Sequence, residues 1–440
     1  MHPKILLLLV LSLLLGLASS ANAGTNAEAL ARRAVSENPA ESAAAIAELR
    51  RMGPQGLRTL FEIFSDEIKR NGLDAAAPSN SAEWQRITAA LDAVAQQRDS
   101  YTSGLYWYTD IEEAKAASKA SGKPILSLRL LGKLSEEFSC ANSRFFRTVL
   151  YSNPEIARYL SDNFILHWKS VRPAPRVTID YGDGRRVERT ITGNSIHYIL
   201  DSQGRIIDAL PGLYGPVAFL RQLKQAEAVA KQLAGQPEQN RAQILRRYHD
   251  TLLDETSKAW VRDVEQVGGK ITEKIDAVTA TPGNPPSARA AARVAMAKAF
   301  VESNLVNAIS SDTRTLERLT DEETWNKIAA LYLSEAKLDS RSLALIGRQN
   351  PYTGATSGPD RLARLVQNFE RAIALDTMRN EYLLHSKLRA WLLSFRAMLD
   401  TEAFNEKVYA ELFLTPGSDP WLGLVQPDTY TGLNNDGIVK

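Results

Sequence analysis

The apolar positions of the first hundred residues recur at helical spacing. Ile46, Leu49 and Met52 mark one face, and Gly53-Pro54 breaks the pattern. Leu57, Leu60, Phe61, Phe64 and Ile68 mark a second face, and Trp84, Ile87, Leu91 and Val94 a third. Pro54 suits the first turn of a helix, where its missing N–H costs no hydrogen bond. The pattern therefore predicts a small helical domain over residues 24–100.

From residue 101 the period changes. Asp110 and Glu113 form a capping-box pattern before an alanine-rich helix that should end at Gly122. Lys123-Pro124 then leads into a short apolar strand, Ile125 to Leu130. A helix is expected after Cys140 and another from Asn153-Pro154 to Leu160, with a strand at Phe164 to Trp168. Val177–Ile179 and Val187–Ile191 flank Tyr181-Gly182-Asp183-Gly184, a hairpin signal. A second hairpin is expected where Ile196–Leu200 and Arg205–Ala209 flank Ser202-Gln203-Gly204. Helices and strands mixed in this order predict an α/β sheet domain over 101–225 with a final antiparallel edge.

Residues 226–412 return to helical spacing, with stripes such as Leu245, Tyr248, Leu252 and Val294, Ala297, Val301, Leu305. Pro282–Pro286 and Gln349–Asp360 read as loops or linkers. Phe369 to Asp376 has the look of the end of a tetratricopeptide unit, but without a repeating period it reads as an ordinary amphipathic helix. The aromatic, Pro- and Gly-containing stretch 413–440 reads as an irregular tail. In the first region, the helix, Gly-Pro turn and second helix resemble a single HEAT-type unit, with no second copy to make a solenoid.

The middle region resembles a thioredoxin-like domain. Trp107-Tyr108-Thr109-Asp110 with Gly122-Lys123-Pro124-Ile125-Leu126 is similar to the opening of such domains. Asn153-Pro154-Glu155-Ile156 through Phe164 is similar to the section before the second strand. Leu200 to Arg205, Leu210-Pro211-Gly212 and Phe219-Leu220 are similar to the closing hairpin and helix. The resemblance covers about a quarter of the chain and implies fold rather than activity. It also implies a C-x-x-C pair after the first core strand, one thiolate attacking a disulfide and the second resolving the mixed intermediate. Here Glu137 stands at the first position, and Cys140, about three residues late, at the second. The family's cis-proline position falls on Ser195, and no proline occurs between Pro175 and Pro211. The Val177–Ile191 hairpin replaces a section that is helical in the family. The resemblance is thus to a degenerate member, without the means for ordinary dithiol exchange.

Composition narrows the setting. Lys4, the apolar run Ile5 to Leu15 and Ala21-Asn22-Ala23 make residues 1–23 a signal peptide by pattern. The run is too short to span hydrocarbon, which needs roughly 20 residues. The expected location is therefore periplasmic or extracellular. No later stretch is apolar enough to cross a membrane. With Lys+Arg 53 against Asp+Glu 51, the charge gives no reason to expect a nucleic-acid partner. One cysteine in 440 residues excludes an internal disulfide.

The candidate chemistry gathers at that cysteine. A thiol at a helix start feels the helix dipole, and Arg144 and Arg147 would add positive charge beside it. On the resemblance, Gly193-Asn194-Ser195 faces it. Cys140 is then the catalytic candidate, with Arg144, Arg147, Asn194 and Ser195 as binding residues, for one-cysteine redox chemistry or anion binding. Against this stands an inert, buried cysteine, the commoner state of a free thiol. Nine Arg/Lys against five acidic residues between Cys140 and Arg189 suggest a solvated basic face or an acidic partner. His167, His197 and His249 carry no ligand spacing. Glu381 and His385, four apart, read as a helix-surface contact rather than a metal pair, so no metal or cofactor is expected. No nucleotide, haem or hydrolase motif is present. These residues point to an exported protein that binds or scaffolds, with a protein as one candidate partner, and with a single-thiol oxidoreductase as the enzymatic alternative.

Overall fold

In the computed structural model, residues 26–73, 81–269, 322–350, 359–394, 400–424 and 433 are described. The signal-peptide pattern, the Val294–Leu305 stripe, the Pro282–Pro286 linker and most of the 413–440 tail lie outside them. The chain divides into two compact units, Met1–Trp107 and Tyr108–Lys440. It is a mixed α/β protein with a small mixed sheet.

The first unit is helical: α1 (26–34), α2 (Pro39–Arg51), α3 (Pro54–Ile63), α4 (Ser65–Asn71) and α5 (Ala82–Ala95). Asn38 caps α2 by accepting from the Ala40 and Glu41 amides, and Ser81 caps α5 through the Trp84 amide. Gly53, at φ 66°, makes the turn that Pro54 converts into a new helix. Gly56 sits so close to the Leu49 carbonyl that any side chain there would collide with it, and this brings α2 and α3 together. Leu49, Leu57, Leu60, Ile87, Leu91 and Val94 form the core. Arg50 ties the end of the unit down, donating to the carbonyls of Val94 (2.9 Å) and Trp107 (2.7 Å). Beneath it, Asp92 accepts from the Ser100 amide (2.8 Å), the Ser100 hydroxyl (2.8 Å) and the Asp99 amide (3.0 Å). Burial nevertheless lifts its carboxyl to about 6.

The second unit opens with α6 (Ile111–Ser121), capped by Asp110 and ended at Gly122. β1 (Ile125–Leu131) follows, then α7 (Ala141–Phe145), which runs into a π turn (Phe146–Tyr151). Next come α8 (Pro154–Asn163), β2 (Ile165–Arg172), β3 (Arg176–Asp180), β4 (Arg186–Thr190), β5 (Ile196–Leu200) and β6 (Ile206–Pro211). The sheet order is β2-β1-β5-β6. β1 is parallel to β2 with Ile125 opposite Ile165, and antiparallel to β5 with Ile125 opposite Leu200. β5 and β6 form a hairpin, its turn held by Asp201 accepting from the Gln203 and Arg205 amides.

β1 is buried along its whole length, as a central strand covered on both faces must be. That burial includes polar side chains. Arg129 donates to Ser127 Oγ (2.5 Å) and to Glu402 (2.8 Å), while His167 Nδ1 lies 2.8 Å from Ser127 Oγ. β3 and β4 form a separate two-stranded ribbon. Its basic face is exposed and interleaved with acids: Arg176 pairs with Glu188, Arg185 with Asp183, and Arg186 with Asp180.

The later helices belong to the same compact unit as the sheet. They are α9 (Pro216–Leu233), α10 (Glu238–Gln266), α11 (Glu322–Leu331), α12 (Ser340–Gln349) and α13 (Pro359–Arg379), followed by a π turn (Asn380–His385), α14 (Ser386–Ser394) and α15 (Thr401–Lys407). The stretch Phe369–Asp376 lies inside α13. No helix among the described residues is long and apolar enough to cross a membrane.

Candidate functional site

Cys140 is the N-cap of α7, and its amide donates to Leu131 O (3.0 Å), so the loop after β1 folds back to start the helix against the strand's end. Across from it, Thr192 (φ 58°) and Gly193 (φ 84°) bring the chain into β5 through two left-handed positions. Gly193 is required twice, by its φ and by space. A Cβ there would lie 2.5 Å from Leu131 Cδ2. This tight turn sets Ser195 Oγ 3.0 Å from Cys140 Sγ, and the thiol also meets Ser143 Oγ at 3.6 Å. Asn194 Oδ1 accepts from Asn142 Nδ2 (3.4 Å), and its carbonyl accepts from the Tyr409 hydroxyl (2.7 Å). The peptide before Ser195 is trans.

The two arginines are engaged elsewhere. Arg144 donates to Ser139 O (2.8 Å) and Thr190 Oγ1 (2.6 Å), and Arg147 to the carbonyls of Leu134 (3.2 Å) and Glu136 (3.0 Å). They brace the loop between β1 and α7 rather than line a cavity around the sulfur. Cys140, Asn142, Ser143 and Ser195 are all fully buried, and Asn194 nearly so. What the fold assembles here is an enclosed thiol–hydroxyl–amide cluster.

A second polar cluster lies at β6, and sequence reasoning missed it. Asp208 is fully buried in a strand otherwise made of Ile206, Ile207, Ala209, Leu210 and Pro211. Its Oδ1 lies 2.9 Å from His385 Nε2. Its Oδ2 accepts from the Tyr248 hydroxyl (2.6 Å) and from Arg389 Nη2 (3.3 Å). Burial works to raise the Asp208 carboxyl, but His385 and the fixed Arg389 charge hold it well below the usual range. His385 is pushed down, first by burial and then by Arg389. Its Nε2 donates to Asp208, and its Nδ1 has no partner among the described residues. His249, close by, is lowered to about 4 chiefly by burial.

The expected surface contact between Glu381 and His385 does not form. Both fall in the π turn, whose wider winding separates positions four apart. His385 turns into the core, while Glu381 takes Gln222 Nε2 (3.0 Å) and Arg221 Nη2 (3.5 Å). The sequence signal that marked this cluster was Asp208 itself, a carboxylate set in an apolar strand.

Beside the cluster runs a groove of about 490 Å³ between α9, α10, the turn after α11, and the π turn. Arg221 is held there by both oxygens of Glu335 (2.8 and 2.9 Å). Gln222 Oε1 accepts from Arg389 (3.2 Å). Tyr332 donates to Asp263 Oδ2 (2.8 Å), as does Tyr382, on whose ring Trp260 stacks at 6.1 Å. Among the described residues no group of three or more His, Cys, Asp or Glu side chains is placed to hold a metal. No family model, no curated protein and no solved structure matches the chain.

Proposed function

We propose that this chain is an exported, soluble protein that binds or scaffolds, its sheet a degenerate thioredoxin-like domain without dithiol chemistry. The observation that carries this is the state of Cys140. A thiol that exchanges with disulfides must reach its substrate as a thiolate. Cys140 is fully buried and its sulfur rests 3.0 Å from the Ser195 hydroxyl. The strand order supports the thioredoxin-like part of the reading. The antiparallel β5–β6 hairpin that closes the sheet and a cysteine at the helix after β1 are what the resemblance implies.

The test is thiol accessibility and turnover in the full chain. Ellman's reagent should label Cys140 only after denaturation, and the folded protein should not accelerate insulin reduction by dithiothreitol. Rapid labelling of the folded chain together with insulin turnover would transfer the assignment to a single-thiol oxidoreductase using Cys140, with Asn194 and Ser195 lining its site.

A further inference from the structure

The groove between α9, α10 and the π turn supplies a binding site, and its unmet hydrogen-bonding groups describe the occupant. Its volume of about 490 Å³ falls in the range of small-ligand sites, roughly 300–1,000 Å³. Two polar groups lining it are buried without a partner among the described residues. Gln225 Oε1 is an unmatched acceptor and Arg389 Nε an unmatched donor, in a side chain only 2% exposed. Leaving such groups unpaired costs about 1–3 kcal/mol each, so a ligand offering both an N–H and a C=O would be favoured there. An amide offers both.

The charges along the rim add a direction. Most are already neutralised: Arg221 by Glu335, Lys258 by Asp254, and Arg389 by Asp208. Two lining residues of α10, Glu255 and Arg262, are exposed and have no ion pair among the described residues. Seven positions apart, they lie on one helix face at about 10 Å along the axis, given 1.5 Å per residue. An extended tripeptide spans about the same distance, at roughly 3.3–3.6 Å per residue. We infer that this groove binds a short peptide with free termini, its ammonium at Glu255, its carboxylate at Arg262, and its amides on Gln225 and Arg389. This rests on the binding role proposed above and gives that role a ligand class.

The test uses the full chain and trialanine, measured by isothermal titration calorimetry. Trialanine should bind saturably, and its N-acetylated, C-amidated form at least tenfold more weakly. Arg262→Gln should weaken free trialanine about tenfold, in keeping with loss of a charge-assisted hydrogen bond, yet leave the C-amidated peptide unchanged. Glu255→Gln should do the same for the ammonium, with the N-acetylated peptide as its control. Both positions are exposed, and an unchanged thermal midpoint would show that the variants fold. Absence of binding by di-, tri- and tetra-alanine would overturn the inference. So would equal binding of the doubly blocked peptide, or variants without effect. None of these outcomes touches the Cys140 accessibility result, so the broader binding reading stands or falls separately.

Discussion

Asp208 Oδ1 and His385 Nε2 are 2.9 Å apart, and neither side chain reaches solvent. The pair joins the edge strand of the sheet to a π turn 177 residues later. Arg389 and Tyr248 complete it, so the carboxylate meets one imidazole, one guanidinium and one phenol. A buried charge held this way stabilises only as a set, because removing one member leaves another uncompensated.

Asp208→Asn should therefore cost about 3–5 kcal/mol, since it strands the Arg389 charge in the core. Urea unfolding monitored by tryptophan fluorescence measures this. Combining it with Arg389→Met should recover part of the loss, and the double-mutant cycle gives the coupling. A loss within ~0.5 kcal/mol for the single variant would show that the cluster carries no net charge interaction.

Acid should weaken the second unit through its buried histidines. Burial lowers both His167 and His197 to about 3 from 6.5. The unfolded chain therefore takes up protons first, so stability is complete above about pH 6.5 and is lost as pH falls toward 3. Each histidine contributes a slope of up to about 1.4 kcal/mol per pH unit in that window. Denaturant midpoints from pH 7 to 4 should fall, and His197→Gln should flatten the profile measurably.

Asp92 in the first unit works in the opposite sense. Its folded carboxyl titrates near 6, raised from 3.8 chiefly by burial. The folded form holds its proton longer, so this contribution is present below about pH 3.8 and lost as pH rises through 6. Amide exchange at Val94 and Ala95, corrected for intrinsic rates, should show protection decreasing over that range. Asp92→Asn should remove the dependence.

Gly193→Ala should destabilise the fold by about 2–4 kcal/mol, combining a left-handed φ with overpacking against Leu131. Because this turn carries Ser195 onto the thiol, the variant should also expose Cys140 to Ellman's reagent in the folded state. An unchanged midpoint and a still-protected thiol would show that the turn tolerates a side chain.

Much of the local structure was legible because it is written in short-range chemistry. Asp110, Asn153 and Pro54 announce helix starts, and Tyr181-Gly182-Asp183-Gly184 announces the turn of the ribbon. The thiol cluster can be anticipated only from the resemblance, and sequence spacing alone does not show that Arg144 and Arg147 bond loop carbonyls. Side-chain direction depends on which carbonyls a loop leaves unpaired, here Ser139, Leu134 and Glu136. Of the Asp208 cluster the sequence shows only the carboxylate in its apolar strand, not the partners. Its members lie on β6, α10, the π turn and α14, and the π turn breaks the four-residue spacing on which helical pattern reading relies.

Two ionic links join distant parts of the second unit: Asp208 to Arg389, 181 residues on and buried at both ends, and Arg129, buried in β1, to the half-exposed Glu402, 273 residues on. Both of the earlier partners sit in sheet strands. During synthesis those strands emerge with an unmatched charge in their interior and stay so until the last helices have been made. The charge pairing of the sheet is therefore completed late as the chain lengthens. Contacts this far apart in sequence carry the loop-closure entropy and slower folding that such separations bring.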